Sequence, residues 1–228
     1  MSRYAVYFAP ETGSHWWQAG CRWLGRDPAS GQAVTQTGIS GISPQRFHAL
    51  TQDARRYGFH ATLKAPFRLP TEQNPAALAQ ALGEFCSRQP PLAVPSPRPS
   101  WLGQFLALCP DGDQRALQAL AQQCVSQFDR FRAAPDAAEL ARRQTADLTP
   151  RQAELLHCWG YPYTEEQFRF HMTLTAPVSD GQEREHLMQA ASAAFQTDLP
   201  LVNDRIALFC EPEPGAPFQL LRNFLFGA

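Results

Sequence analysis

An eleven-residue segment occurs twice in this chain without a gap, and no other feature constrains the fold as strongly. Tyr57–Phe67 (YGFHATLKAPF) aligns with Phe168–Val178 (FRFHMTLTAPV), keeping Phe, His, Thr, Leu, Ala and Pro in register. The surroundings repeat as well. Each copy is preceded by a strand-like run ending in proline (Pro10, Pro110) and then a helical run. Each is followed by a helical run with a phenylalanine near its end (Phe85, Phe195). The chain therefore reads as a duplicated β-α-β-α-β unit whose halves pack about a pseudo-twofold axis. The expectation is one domain over 1–228, with pseudo-repeat lobes at about 3–100 and 101–226 and a helical insertion at about 129–160.

Local signals place the elements. Arg3–Pro10 alternates as a strand, and Ser14–Leu24 is a helix ended by Gly25. Residues 26–44 read as loop. Ser43-Pro44 and Asn74-Pro75 each place a capping side chain before a proline at the first helical position. Thr149-Pro150-Arg151-Gln152 is a capping box opening a helix that Gly160 ends. Gly112–Phe128, Ala137–Thr145 and Gln182–Phe195 read as helical. Tyr57–Phe67, Gly103–Pro110, Phe168–Val178, Leu199–Cys210 and Phe218–Phe226 read as strands, and Pro90–Ser100 as extended chain. Twenty prolines in 228 residues exclude a long coiled coil or an all-helical solenoid.

Side chains two apart on a strand share a face. His60, Thr62 and Lys64 are thus expected on one face, against Phe59, Ala61, Leu63 and Ala65 in the core. In the second copy His171, Thr173 and Thr175 oppose Phe170, Met172, Leu174 and Ala176. A structural repeat needs only its apolar face, yet the His and Thr of the other face also recur. If a pseudo-twofold relates the halves, both His-x-Thr pairs line one cleft. Two imidazoles suit phosphodiester chemistry: one neutral ring takes a proton from water, and one protonated ring gives a proton to the departing oxygen. The hydroxyls of Thr62 and Thr173 suit non-bridging phosphate oxygens. Lys64, the only lysine, and Arg169 are the expected counter-charges at non-equivalent ends of the cleft. No metal or other cofactor is expected.

Paired His-x-Thr strands in a duplicated α+β chain resemble the 2H phosphoesterase superfamily. The wording of Arg56–Phe67, Trp159-Gly160-Tyr161-Pro162-Tyr163 and Phe168–Leu174 is similar to a narrower branch of unknown function found among bacterial phosphonate-utilisation genes. The resemblance implies a duplicated two-lobed fold, with two mainly antiparallel sheets facing a central cleft and helices outside. It also implies His60/Thr62 and His171/Thr173 as the motif residues, and hydrolysis or ligation at 2′,3′-cyclic or related phosphates. The branch suggests a ribose phosphodiester formed during phosphonate breakdown.

Other residues are weighed beside these. Arg56 shares the parity of His60, and Tyr57, Tyr161 and Tyr163, with Trp159, are candidates for contacting the rest of the substrate. Arg142 and Arg143 are read as a solvated helix face. His15, His48, His157 and His186 have no duplicated partner and are read as structural or surface residues. Two alternative functions remain open: RNA end processing or ligation at 2′,3′-cyclic phosphates, and a non-catalytic nucleotide- or RNA-binding module. Net charge −1 argues against long nucleic acid as a partner, leaving a small phosphodiester. No apolar run reaches the length of a membrane span, and Met1–Phe8 reads as a strand rather than a secretion signal. Six cysteines without metal-ligand spacing read as buried free thiols of a cytoplasmic protein.

Overall fold

The computed structural model describes residues 1–135 and 148–227. The helix expected at Ala137–Thr145, Arg142, Arg143 and part of the expected insertion lie outside the described residues. The fold is α+β, built on a seven-stranded antiparallel sheet and a small two-stranded one. In chain order the elements are β1 (Arg3–Phe8), α1 (His15–Leu24), α2 (Pro44–Leu50), α3 (Gln52–Tyr57), β2 (Ala61–Phe67), α4 (Pro75–Cys86), β3 (Leu92–Val94), β4 (Arg98–Leu102) and β5 (Phe105–Cys109). Then follow α5 (Arg115–Gln127), α6 (Pro150–Trp159), β6 (Met172–Thr173), α7 (Gly181–Ala194), β7 (Leu201–Asn203), β8 (Arg205–Glu211) and β9 (Gln219–Leu225).

The helix starts follow from their caps. The side chains of Ser14, Ser43, Asn74 and Thr149 each accept a bond from the backbone N–H three residues on. That satisfies a donor which the first helical turn leaves orphaned. Gly25 and Gly160 end α1 and α6 in the left-handed conformation. Gly20 has another role: a Cβ there would lie 2.1 Å from the Phe59 ring, so its bare backbone lets α1 close on the residue preceding His60.

The large sheet runs β4-β5-β6-β2-β1-β8-β9, and β3 pairs with β7 in the small one. A pseudo-twofold passes between β6 and β2. It relates β2 to β6, β1 to β5 and β8 to β4. One strand of each repeat therefore crosses over: β4 lies beside β5 of the second repeat, and β8 beside β1 of the first. The halves of the sheet are not the halves of the sequence. They also join, since β2 and β6 pair at Ala61 with Met172, the two sheet halves meeting along that one rung.

One face of the sheet carries the main core. Val6, Phe8, Ala61, Leu63, Met172, Leu174, Leu106 and Leu108 pack there with residues of α4, α5 and α7. The other face carries a smaller apolar cluster centred on Ala5, Tyr7, Ala207, Phe209 and Phe218. The strand expected over Phe168–Val178 shortens to Met172–Thr173, and the one expected from Tyr57 begins at Ala61. In the first copy α3 runs to Tyr57 and Gly58 turns the chain at φ 85°. All six cysteines are free; Cys109 is half-buried and Cys158 exposed, against the expectation of burial. Among the described residues no helix is long and apolar enough to cross a membrane.

Candidate active site

The single β2–β6 rung sets the geometry of the duplicated motifs. Ala61 and Met172 are directly opposite and both point into the main core. The antiparallel register then puts His60 across from Thr173 and Thr62 across from His171, all on the opposite face. His60 and His171 are diagonal neighbours across the seam, a relation that brings backbones to about 7–8 Å. The four side chains are half-buried, so the two His-x-Thr pairs form one partly open square about the pseudo-twofold.

The two histidines are held alike. Nδ1 of His60 lies 2.9 Å from the Gly58 carbonyl, and Nδ1 of His171 lies 2.8 Å from the Arg169 carbonyl. Gly58 and Arg169 occupy the same position in the two copies. A carbonyl only accepts, so each ring carries its proton on Nδ1 and presents an unprotonated Nε2 as an acceptor. Nε2 of His60 is 3.2 Å from the Thr62 hydroxyl. The His60 ring also stacks on Tyr7, with centroids 3.8 Å apart. Burial pushes the His60 pKa down to about 4, aided by the charge of His171. Burial lowers that of His171 too, against the Arg169 carbonyl bond that raises it. Both rings are therefore neutral at neutral pH.

Lys64 departs from the expected parity. Tyr7 pairs with Thr62 but Val6 pairs with Lys64, so β2 carries one more residue than β1 over this step. Such a bulge puts consecutive residues on one side, and Leu63 and Lys64 both turn toward the core. The ammonium is 3% exposed and bonds the Asp129 carboxylate at 3.0 Å and the Val125 carbonyl at 3.1 Å. The expectation that Lys64 shares the face of His60 is therefore corrected: its ammonium pairs with Asp129, at the wall of the cavity described below. Its counterpart Thr175 is likewise buried, its hydroxyl accepting the Leu106 N–H at 3.0 Å. Arg169 is placed differently again. Its carbonyl serves His171, while its exposed side chain lies in a separate shallow concavity near Cys109.

Beyond Ala61, β2 has no partner on its β6 side among the described residues. A cavity of about 590 Å³ opens along this free edge. Thr62 lies on its wall, as do the anticipated Arg56, Tyr57, Tyr161 and Tyr163, together with Trp159. Neither histidine lines it directly, but the Tyr57 ring stands 6.2 Å from that of His60. Burial pushes the Tyr161 hydroxyl up to about 12, so it stays neutral. Trp159 is fixed by a 2.7 Å bond from its indole N–H to Glu165, which Arg151 also holds.

Sequence reasoning missed Arg3 and Glu211. Glu211 is wholly buried at the end of β8, and its carboxylate binds Arg3 and Arg56 together. An acidic residue closing the apolar run Ile206–Cys210 was the available signal. The two arginines hold the carboxyl below its usual range despite burial. Among the described residues no three His, Cys, Asp or Glu side chains gather as a metal site.

The sequence pattern of the family described as "Protein of unknown function (DUF1045)" matches residues 62–219, and the chain belongs to that family. A protein of Janthinobacterium sp. (strain Marseille) named "Ribose 1,5-bisphosphate phosphokinase PhnN" is 46% identical over 96% of this chain and 49% of its own length. One of the same name from Laribacter hongkongensis (strain HLHK9) is 38% identical over 96% of this chain and 51% of its own length. The chain thus spans about half the length of these curated relatives. Among solved structures, E. coli LigT complexed with 3′-AMP gives a TM-score of 0.48 at 15% identity, over 99% of this chain and 98% of LigT. A protein described as a phosphoesterase gives 0.44 at 15% identity, over 99% of each chain.

Proposed function

We propose that this DUF1045 member hydrolyses a small cyclic or linear phosphodiester by two-histidine acid–base catalysis, with His60 and His171 as the catalytic pair. The observation that carries the reading is the diagonal placement of the two imidazoles across the Ala61–Met172 rung, each with an unprotonated Nε2 and a threonine beside it. In this scheme the phosphate sits over the seam, its non-bridging oxygens taking bonds from the Thr62 and Thr173 hydroxyls. Nε2 of one histidine accepts a proton from water as the water oxygen bonds to phosphorus. The other, protonated, gives its proton to the alkoxide as the ester P–O bond breaks. Burial disfavours the imidazolium, so the anionic phosphate itself supplies the charge that stabilises one.

The substrate class proposed is a cyclic phosphate of a ribose phosphate, handled in the cytoplasm during phosphonate metabolism without a bound metal. Two features support it: the resemblance of the motifs to a branch found with phosphonate-utilisation genes, and relatives whose name refers to ribose 1,5-bisphosphate. The test is turnover of ribose and nucleoside cyclic phosphates in EDTA, for the native chain and for His60→Ala and His171→Ala. Loss of an acid or base should lower kcat by about 10²–10⁴ in each variant. Unchanged turnover in the double variant, or binding without turnover in the native chain, would overturn the assignment.

A further inference from the structure

The cavity beside the histidine face is flanked by two ionic groups of the same make. Arg3 and Arg56 share the buried Glu211, and Lys64 and Arg132 share Asp129. All four cations line the cavity. Each group holds two positive charges against one negative, so each leaves one positive charge uncompensated. Glu165, an acidic residue on the same wall, is already engaged by Arg151 and Trp159. Donors remain available. Arg3 uses Nε on Glu211, and Arg56 uses Nη2 on Glu211 and Nε on the Ala216 carbonyl. Both Nη of Arg3 and Nη1 of Arg56 have no bond described, on side chains about one-third exposed.

A second observation points to a ligand. Thr164 is 3% exposed and lines the cavity, yet its hydroxyl has no hydrogen-bond partner among the described residues; nor has the buried Oε1 of Gln122, another residue of the lining. Buried polar atoms are nearly always paired. An amide oxygen only accepts, so what completes Gln122 must donate, as a sugar hydroxyl does.

We infer that this cavity receives a phosphomonoester-bearing sugar, the phosphomonoester gripped by Arg3 and Arg56 and the sugar hydroxyls by Thr164 and Gln122. The inference rests on the phosphodiesterase reading for what happens at the histidines, and assigns the residues that hold the unreacted phosphate and the sugar. The spacing suits it. Arg3 lies on the face of Tyr7, four residues along β1, or about 13 Å at the usual rise of a strand. Tyr7 stacks on His60. A substrate reaching from the histidines to Arg3 spans a sugar with phosphate at both ends.

The test is calorimetric binding of ribose 5-phosphate, ribose and inorganic phosphate to the native chain, Arg56→Gln, Arg56→Lys, Thr164→Val and the double variant His60→Ala/His171→Ala. Ribose 5-phosphate should bind at least about 10-fold tighter than inorganic phosphate, and Arg56→Gln should weaken it about 10–100-fold, the worth of charge-assisted bonds. Arg56→Lys, which keeps the charge and the hold on Glu211, should recover part of that loss. Thr164→Val should weaken ribose 5-phosphate but not inorganic phosphate. Binding that persists in the double histidine variant supports the clamp whether or not the chain turns over a diester. Equal affinity for ribose 5-phosphate and inorganic phosphate would overturn the inference, as would native affinity in a folded Arg56→Gln.

Discussion

The ion pair that takes Lys64 out of the histidine face makes a quantitative prediction for Asp129→Asn. The ammonium is 3% exposed, and its remaining partner is the Val125 carbonyl. Burying a charge after its partner is removed costs about 3–5 kcal/mol. The lysine has an alternative, which is to fold neutral. At pH 7 that costs about 1.36 × (10.4 − 7), or roughly 4.6 kcal/mol, which caps the penalty. The asparagine oxygen still accepts a bond, and Asp129 is 25% exposed, so the expected loss is about 2–4 kcal/mol. The sign with pH is fixed. Burial already lowers the Lys64 pKa and Asp129 opposes that shift. Without the carboxylate the pKa falls further, and the unfolded chain binds more protons than the folded one over a wider range. Stability of the variant should therefore rise with pH faster than that of the native chain, by up to about 1.4 kcal/mol per unit. Urea unfolding at several pH values between 7 and 9.5 measures this, and the gap should narrow as pH rises. Adding Lys64→Met to Asp129→Asn should recover part of the loss, because the buried ammonium is gone while Arg132, the other partner of Asp129, keeps only the Cys158 carbonyl among the described residues. A gap below about 1 kcal/mol, or one independent of pH, would refute the reasoning. So would native stability with a large drop in kcat, which would return the ammonium to the substrate.

Three other predictions concern the histidine face. The folded pKa of His60 lies at about 4, below its unfolded value, so stability should be greatest above pH 6.5 and fall as pH drops toward 4; NMR titration of the imidazoles reads it directly, and a His60 pKa at or above 6.5 would contradict the geometry. Gly58→Ala adds a Cβ 2.7 Å from the Pro28 ring at φ 85°, displacing the carbonyl that orients His60; kcat should fall at least about 10-fold with substrate affinity retained, whereas native kinetics would deny that carbonyl a role. Thr62→Val and Thr173→Val should each lower kcat by about 10–100-fold with little change in melting temperature, and equal drops in the two would fit the pseudo-twofold.

What was legible in the sequence was the repeat and its punctuation. The caps at Ser43, Asn74 and Thr149 all act as read, because capping is a local contest between a side chain and orphaned N–H groups. The parity of His60 and Thr62 against Ala61 also held, since the apolar residue had to enter the core. Parity failed two residues later. A bulge is set by how many residues β1 and β2 contribute to their pairing, and alternation within β2 alone is blind to it. Glu211 was illegible for a similar reason. Its partners Arg3 and Arg56 come from the far end of the chain, so only the β1–β8 pairing reveals that it is paired.

The exchange of β4 and β8 between the repeats governs how such a chain folds during synthesis. When the first repeat has left the ribosome, β4 has no neighbour, because β5 belongs to the segment still to come. β1 has β2 beside it, but its other edge waits for β8, roughly two hundred positions later. Neither repeat can close its sheet alone, so the first half must persist as an open-edged intermediate, the kind of species that aggregates. Long-range pairings of this sort also slow the final step. The rung that aligns His60 with His171 forms only once both copies of the motif exist. A chain truncated after the first repeat should therefore be insoluble rather than half-active, and the site should be among the last features of the molecule to appear.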